Sequence, residues 1–137
     1  MSNNILLPQE KFKITLLFCY EDLKEIFSKD KDICNYLDII KLITEGIDSR
    51  EIILNFGGKI HEEKENRQTL KVMFDEGLYL QIFLHMIKDI PLINVDLINE
   101  KTLMELDDGD KDTLTEYVKS FFRIYENYKL SKESKAL

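Results

Sequence analysis

The sequence predicts an α+β fold: N-terminal helices, with or without one strand ahead of them, then an antiparallel β-meander, then a long C-terminal amphipathic helix. Three observations predict it. Apolar residues recur at helical spacing over 32–45. Apolar and polar residues alternate over 69–74 and 78–86 around a glycine turn. A capped apolar stripe runs from 113 to about 131.

Residues 11–20 carry two patterns at once. Phe12, Ile14, Leu16, Phe18 and Tyr20 alternate as in a half-buried strand. Phe12, Leu16, Cys19, Leu23 and Ile26 also share one helix face, and Pro8 suits a first helical turn. The alternation is read as a strand, with a short helix after it at 21–29. Over 32–45, Ile33, Tyr36, Leu37, Ile40 and Ile43 mark a helix that Asp30 or Asp32 can cap. Gly46 then resembles a left-handed stop, with Ile47 as its trailing apolar contact. Asp48 and Glu51 suggest a capping box for a short helix at 49–56, which Gly57-Gly58 would end.

In the middle of the chain, Leu70, Val72 and Phe74 alternate with Thr69, Lys71 and Met73. Leu78, Leu80, Ile82, Leu84 and Met86 alternate with Tyr79, Gln81, Phe83 and His85. Asp75-Glu76-Gly77 between them suits a hairpin turn, and 59–64 can pair back through Glu65-Asn66. A helix over 78–90 is the competing reading, because both strand faces are apolar. Pro91 ends this element, and a short strand near 92–96 follows. Thr113 and Glu116 suggest the capping box of the last helix. Leu114, Tyr117, Val118, Phe121, Ile124, Tyr125 and Tyr128 line its face, and Phe122 lies off that stripe. A chain of 137 residues without linker or repeat is read as one domain over 1–137, with a frayed tail at 131–137.

Composition narrows the function classes. The net charge of −7 and the pI near 4.9 argue against nucleic acid and anionic membrane surfaces as partners, and favour a protein partner with a basic surface. Two cysteines, Cys19 and Cys34, without a CxxC pair, and a start without a basic, apolar leader predict reduced thiols in the cytoplasm, or in a host cell's cytoplasm for a viral protein. Sixteen lysines against three arginines, with a single alanine, point to an AT-rich genome such as that of a low-GC bacterium or a phage.

The motifs of catalysis are missing. His61-Glu62-Glu63-Lys64-Glu65 lacks the second histidine of HExxH, and Gly57-Gly58-Lys59 lacks the spacing of a phosphate loop. Asp108, Asp110 and Asp112 begin like an EF-hand, but Thr113 and Lys119 stand where its glycine and bidentate glutamate belong. The sequence therefore predicts neither enzyme nor cofactor nor metal.

What remains is contact across a surface. Two partner-binding surfaces are predicted: the acidic loop Glu105, Asp107, Asp108, Asp110 and Asp112, and the outer meander face Tyr79, Gln81, Phe83 and His85. The expected function is a small acidic protein-binding module that occupies a partner, as inhibitors, immunity proteins and counter-defence proteins do. A winged-helix regulator is a second reading, since 38–56 reads helix, turn, helix before a hairpin. A secretion-chaperone-like adaptor is a third. A homodimer packed through Phe122 is compatible with all of them.

Overall fold

The computed structural model describes residues 6–62, 69–88 and 98–135, and among them every regular element is a helix. In chain order these are α1 (Pro8–Ile26), α2 (Lys31–Glu45), α3 (Ser49–Ile60), α4 (Leu70–Asp75), α5 (Tyr79–Lys88), α6 (Glu100–Met104) and α7 (Asp108–Lys135). The expected α+β class is overturned: the described residues contain no strand and no sheet.

Residues 11–20 belong to α1. Pro8 opens it, and the Glu10 carboxylate accepts from the Leu7 backbone N–H at 3.3 Å. Phe12, Cys19, Tyr20 and Leu23 are buried, with Leu16 packed against them, while Ile14 and Phe18 of the supposed strand face are 37% and 62% exposed. Burial thus follows the 3.6-residue period, and the alternation is incidental.

The same holds for the supposed meander. Leu70 and Met73 are buried in α4, and Ile82 and Phe83 in α5, whereas Val72 is 41% exposed and Gln81 lies at the surface. Thr69 caps α4 by accepting from the Val72 N–H at 3.2 Å. Asp75-Glu76-Gly77 is a turn as expected, but it ends a helix. Gly77 has φ 77°, the Leu78 N–H donates to the Met73 carbonyl and the Gly77 N–H to the Phe74 carbonyl, which is the Schellman pattern. The expected strand near 92–96, and the end of that at 59–64, lie outside the described residues.

Other boundaries shift. Asp30 caps α2 and Asp48 caps α3, accepting from the Ile33 and Arg50 N–H groups. Gly46 has φ −85°, so it is no left-handed stop. Helix α3 continues through Gly57-Gly58 to Ile60. Helix α7 begins five residues before Thr113, with Asp107 accepting from the Asp110 N–H at 2.8 Å. Thr113 instead donates to the Gly109 carbonyl inside the helix. The helix reaches Lys135, past the position where the sequence suggested fraying.

Helix α1 is the hub, packing on α2, α3 and α7, while α5 also packs on α7. The shared core is aromatic: Phe12 lies 4.9 Å from Phe56 and 5.0 Å from Phe121, and Phe56 meets Phe122 edge-on at 5.3 Å. Phe122 also stacks on Phe74 at 4.3 Å and is only 4% exposed, so it belongs to the core and offers nothing to a dimer. The Tyr117 hydroxyl donates to Asp22, tying α7 to α1. Lys24 pairs with Asp38 at 2.6 Å and Lys41 with Glu21 at 2.7 Å, which clamps α2 onto α1.

Candidate functional site

Most of the outer face expected from the sequence lines one cleft, and the acidic segment follows that cleft's α6 residues in the chain. As a helix, α5 separates residues that a strand would align. Gln81, Leu84 and His85 fall at i, i+3 and i+4 and turn to one side, while Phe83 turns to the other and is 3% exposed. Tyr79, Gln81 and His85 line a cleft of about 420 Å³ together with Leu84 of α5, Glu100, Leu103 and Met104 of α6, and Thr115 of α7. Phe83 leaves the predicted set because it is part of the core.

Short, capped elements fix this cleft. Asn99 and Thr102 form a reciprocal capping box at α6: the Thr102 N–H donates to Asn99 Oδ1 at 3.0 Å, and the Asn99 N–H donates to Thr102 Oγ1 at 2.7 Å. Leu103 anchors α6 in the core, which leaves Met104 56% exposed at the cleft's edge. Lys119 of α7 sits 5.2 Å over the Tyr79 ring, and Phe74 meets the same ring edge-on at 5.4 Å. Tyr79 is therefore held from two sides.

The acidic segment adjoins two of the cleft's residues in the chain, and none of its five acids is among the lining residues. Glu105 directly follows Met104, and Asp112 precedes Thr115 by one turn of α7. Glu105, Asp107, Asp108 and Asp112 are exposed, and Asp110 is half-buried. Asp107 is committed to capping α7, and Asp108 and Asp110 lie in its first turn, where the helix dipole favours carboxylates. These acids form a helix start and not the expected loop. Among the described residues no group of three or more His, Cys, Asp or Glu is placed to hold a metal ion. Glu100, Leu103 and Met104 are not among the residues expected from the sequence. The only clue was the Asn99-x-x-Thr102 spacing of a cap.

A second hollow, also of about 420 Å³, opens between α1, α3 and α5. Its floor is apolar, from Phe12, Leu16, Ile52, Phe56, Met86 and Phe121. Inside it the Tyr20 and Thr44 side chains hydrogen-bond to each other, and burial pushes both the Tyr20 hydroxyl and the Cys19 thiol well above their ordinary pKa values. Cys19 is therefore held as a neutral thiol. A sealed void of 420 Å³ would cost about 10 kcal/mol at ~24 cal/mol per Å³, the scale of a whole domain's stability. The hollow is instead open along α3, where Ile47, Glu51 and Asn55 are exposed.

A third feature is the outer side of α2. Ile39, Leu42 and Ile43 are 53%, 70% and 37% exposed at i, i+3 and i+4. Among the described residues no helix is long and apolar enough to cross a membrane. No family profile, curated protein or solved structure matches the chain.

Proposed function

We propose that this protein is a binding module that acts by occupying a protein partner, with the cleft between α5, α6 and α7 as its contact site. The observation that carries this reading is the cleft lined by Tyr79, Gln81, His85 and Met104, with Glu105 next to Met104 in the chain and the acidic start of α7 shortly after it. An exposed methionine, a tyrosine held by its neighbours and a polar rim are the composition of interface patches. The carboxylates of that neighbouring segment, with a net charge of −7, favour a partner whose contact surface is basic and steer its approach. Such occupation is how an inhibitor, an immunity protein or a counter-defence protein works. The winged-helix alternative requires a β-hairpin after α3, and the described residues contain none. The adaptor alternative keeps one supporting observation, the exposed apolar side of α2.

A peptide-display selection tests the proposal. The expected enrichment is of peptides with Lys or Arg beside an apolar anchor, lost on Glu105→Lys with Asp112→Lys and on Met104→Asp, and retained on Leu42→Glu. Enrichment that ignores the first two variants and is lost on Leu42→Glu would move the site to α2 and favour the adaptor. Peptides without basic residues would remove the charge argument.

A further inference from the structure

We propose that the contact cleft between α5, α6 and α7 takes an arginine side chain of the partner, with Glu100 as the carboxylate that pairs with it. This rests on the reading of the cleft as the contact site, and it places the decisive charge on α6, outside the acidic segment 105–112.

The described lining of the cleft holds one carboxylate, Glu100, and neither lysine nor arginine. Other acids are already committed. Glu21, Asp38, Asp75 and Glu116 are each paired with a lysine, and Asp107 caps α7. Among the described residues the Glu100 side chain has neither an ion-pair nor a hydrogen-bond partner. Lys119 does not serve it, because that lysine is held between Glu116 at 3.7 Å and the Tyr79 ring at 5.2 Å. The backbone at Glu100 is fixed, since Asn99 and Thr102 on either side of it bond to each other reciprocally. The cleft thus presents an anchored carboxylate that a cation from outside would satisfy.

The rest of the lining selects the kind of cation. Leu84, Leu103 and Met104 give the aliphatic stem of a basic side chain an apolar bed while its head stays polar. Beside Glu100 the cleft offers the Gln81 amide oxygen from α5 and the Thr115 hydroxyl from α7, neither of them hydrogen-bonded among the described residues. Acceptors on three separate elements suit a planar guanidinium with five donors better than a compact ammonium. At roughly 30 Å³ per heavy atom, an arginine side chain occupies about 210 Å³ of the cleft's 420 Å³, which leaves room for one apolar side chain next to it.

The test is a nuclear magnetic resonance titration of the full chain, at about 0.15 M salt, with acetyl-leucyl-arginine amide. Beside it stand the lysine peptide and the citrulline peptide, the latter keeping the shape of arginine without its charge. The expected result is saturable amide shifts at Gln81, Leu84 and 100–104, with arginine bound about five-fold more tightly than citrulline and with lysine between them. Glu100→Gln should erase the difference between arginine and citrulline. Glu105→Gln with Asp112→Asn should keep it, because those acids do not line the cleft. Equal binding of arginine and citrulline, or a difference that survives Glu100→Gln in a chain of unchanged circular dichroism, would overturn the pairing and leave the cleft as the contact site. Lysine bound as tightly as arginine would overturn the guanidinium assignment. Shifts confined to other surfaces, or no saturable shift with any of the three peptides, would remove the cleft itself.

Discussion

Two adjacent glycines in α3 should respond to alanine differently, Gly58 with a gain in stability and Gly57 with none or with a loss. At Gly58 nothing lies within 4 Å of an added Cβ, so Gly58→Ala collects only the helix-propensity gain, about 1 kcal/mol. At Gly57 the same Cβ would sit 2.5 Å from Cε1 and from the hydroxyl of Tyr125 on α7. Restoring an ordinary contact of about 3.5 Å means moving the ring by about 1 Å. That ring packs edge-on against Phe56 at 5.8 Å and stacks on Tyr128 at 6.5 Å, so it cannot move alone. Overpacking of this kind costs about 1–3 kcal/mol, which offsets or exceeds the propensity gain. Gly57→Ala should therefore fall about 1–3 kcal/mol below Gly58→Ala, with a shift of about 3–5 °C in the melting midpoint per kcal/mol. Urea denaturation followed by far-UV circular dichroism, with a thermal melt alongside, reads both. In a Tyr125→Ala background, Gly57→Ala should change sign and stabilise by about 1 kcal/mol. Gly57→Ala as stable as Gly58→Ala in the parent chain would refute the close approach of α3 and α7.

Three further outcomes follow from the caps, charges and thiols. Asp107→Ala should destabilise by about 1 kcal/mol as the loss of an N-cap, with Thr113→Ala much closer to neutral; the reverse order would restore the helix start suggested by the sequence. The Glu21 carboxyl is held below its ordinary value by its hydrogen bond to Lys41, so its contribution to stability is present above the unfolded-state pKa and is lost as pH falls through the lower folded value. The gap in urea midpoint between the parent and Glu21→Gln should narrow from about pH 6 to about pH 3, and also in high salt, because the pair is exposed. Cys19 is 1% exposed with its thiol pushed up by burial, so in native buffer a thiol reagent should label it far more slowly than it labels a free thiol, and labelling at the free-thiol rate would contradict that burial.

The parts legible in the sequence were those with a single periodicity. Helix α2 and the apolar face of α7 show one pattern each, and both are helices whose buried residues are largely the ones that pattern marks. The middle of the chain carries two patterns, because Leu, Ile and Phe crowd both faces of 78–86, and alternation cannot then be told from a buried helix. The capping residues decide it: Thr69 before Leu70 and Asn99 before Glu100 start helices, and Gly77 ends one. The acidic residues of the candidate site were proposed from composition alone. Their neighbours were missed because Met104 and Glu100 become meaningful only once α6 is placed beside α5. Gly57 misled for the opposite reason: a glycine in mid-helix looks like a stop, and here it makes room for a tyrosine from another helix.

The cleft exists only if 79–88 is helical and α6 lies against it, and a nuclear Overhauser spectrum with assigned side chains tests this directly. The account predicts cross-peaks from Leu84 to Leu103 and to the Met104 methyl, helical Cα shifts across 70–75 and 79–88, and Phe83 in contact with the core and not with Met104. Extended shifts over 78–86 with cross-strand peaks to 69–74 would contradict the fold and remove the proposed site with it.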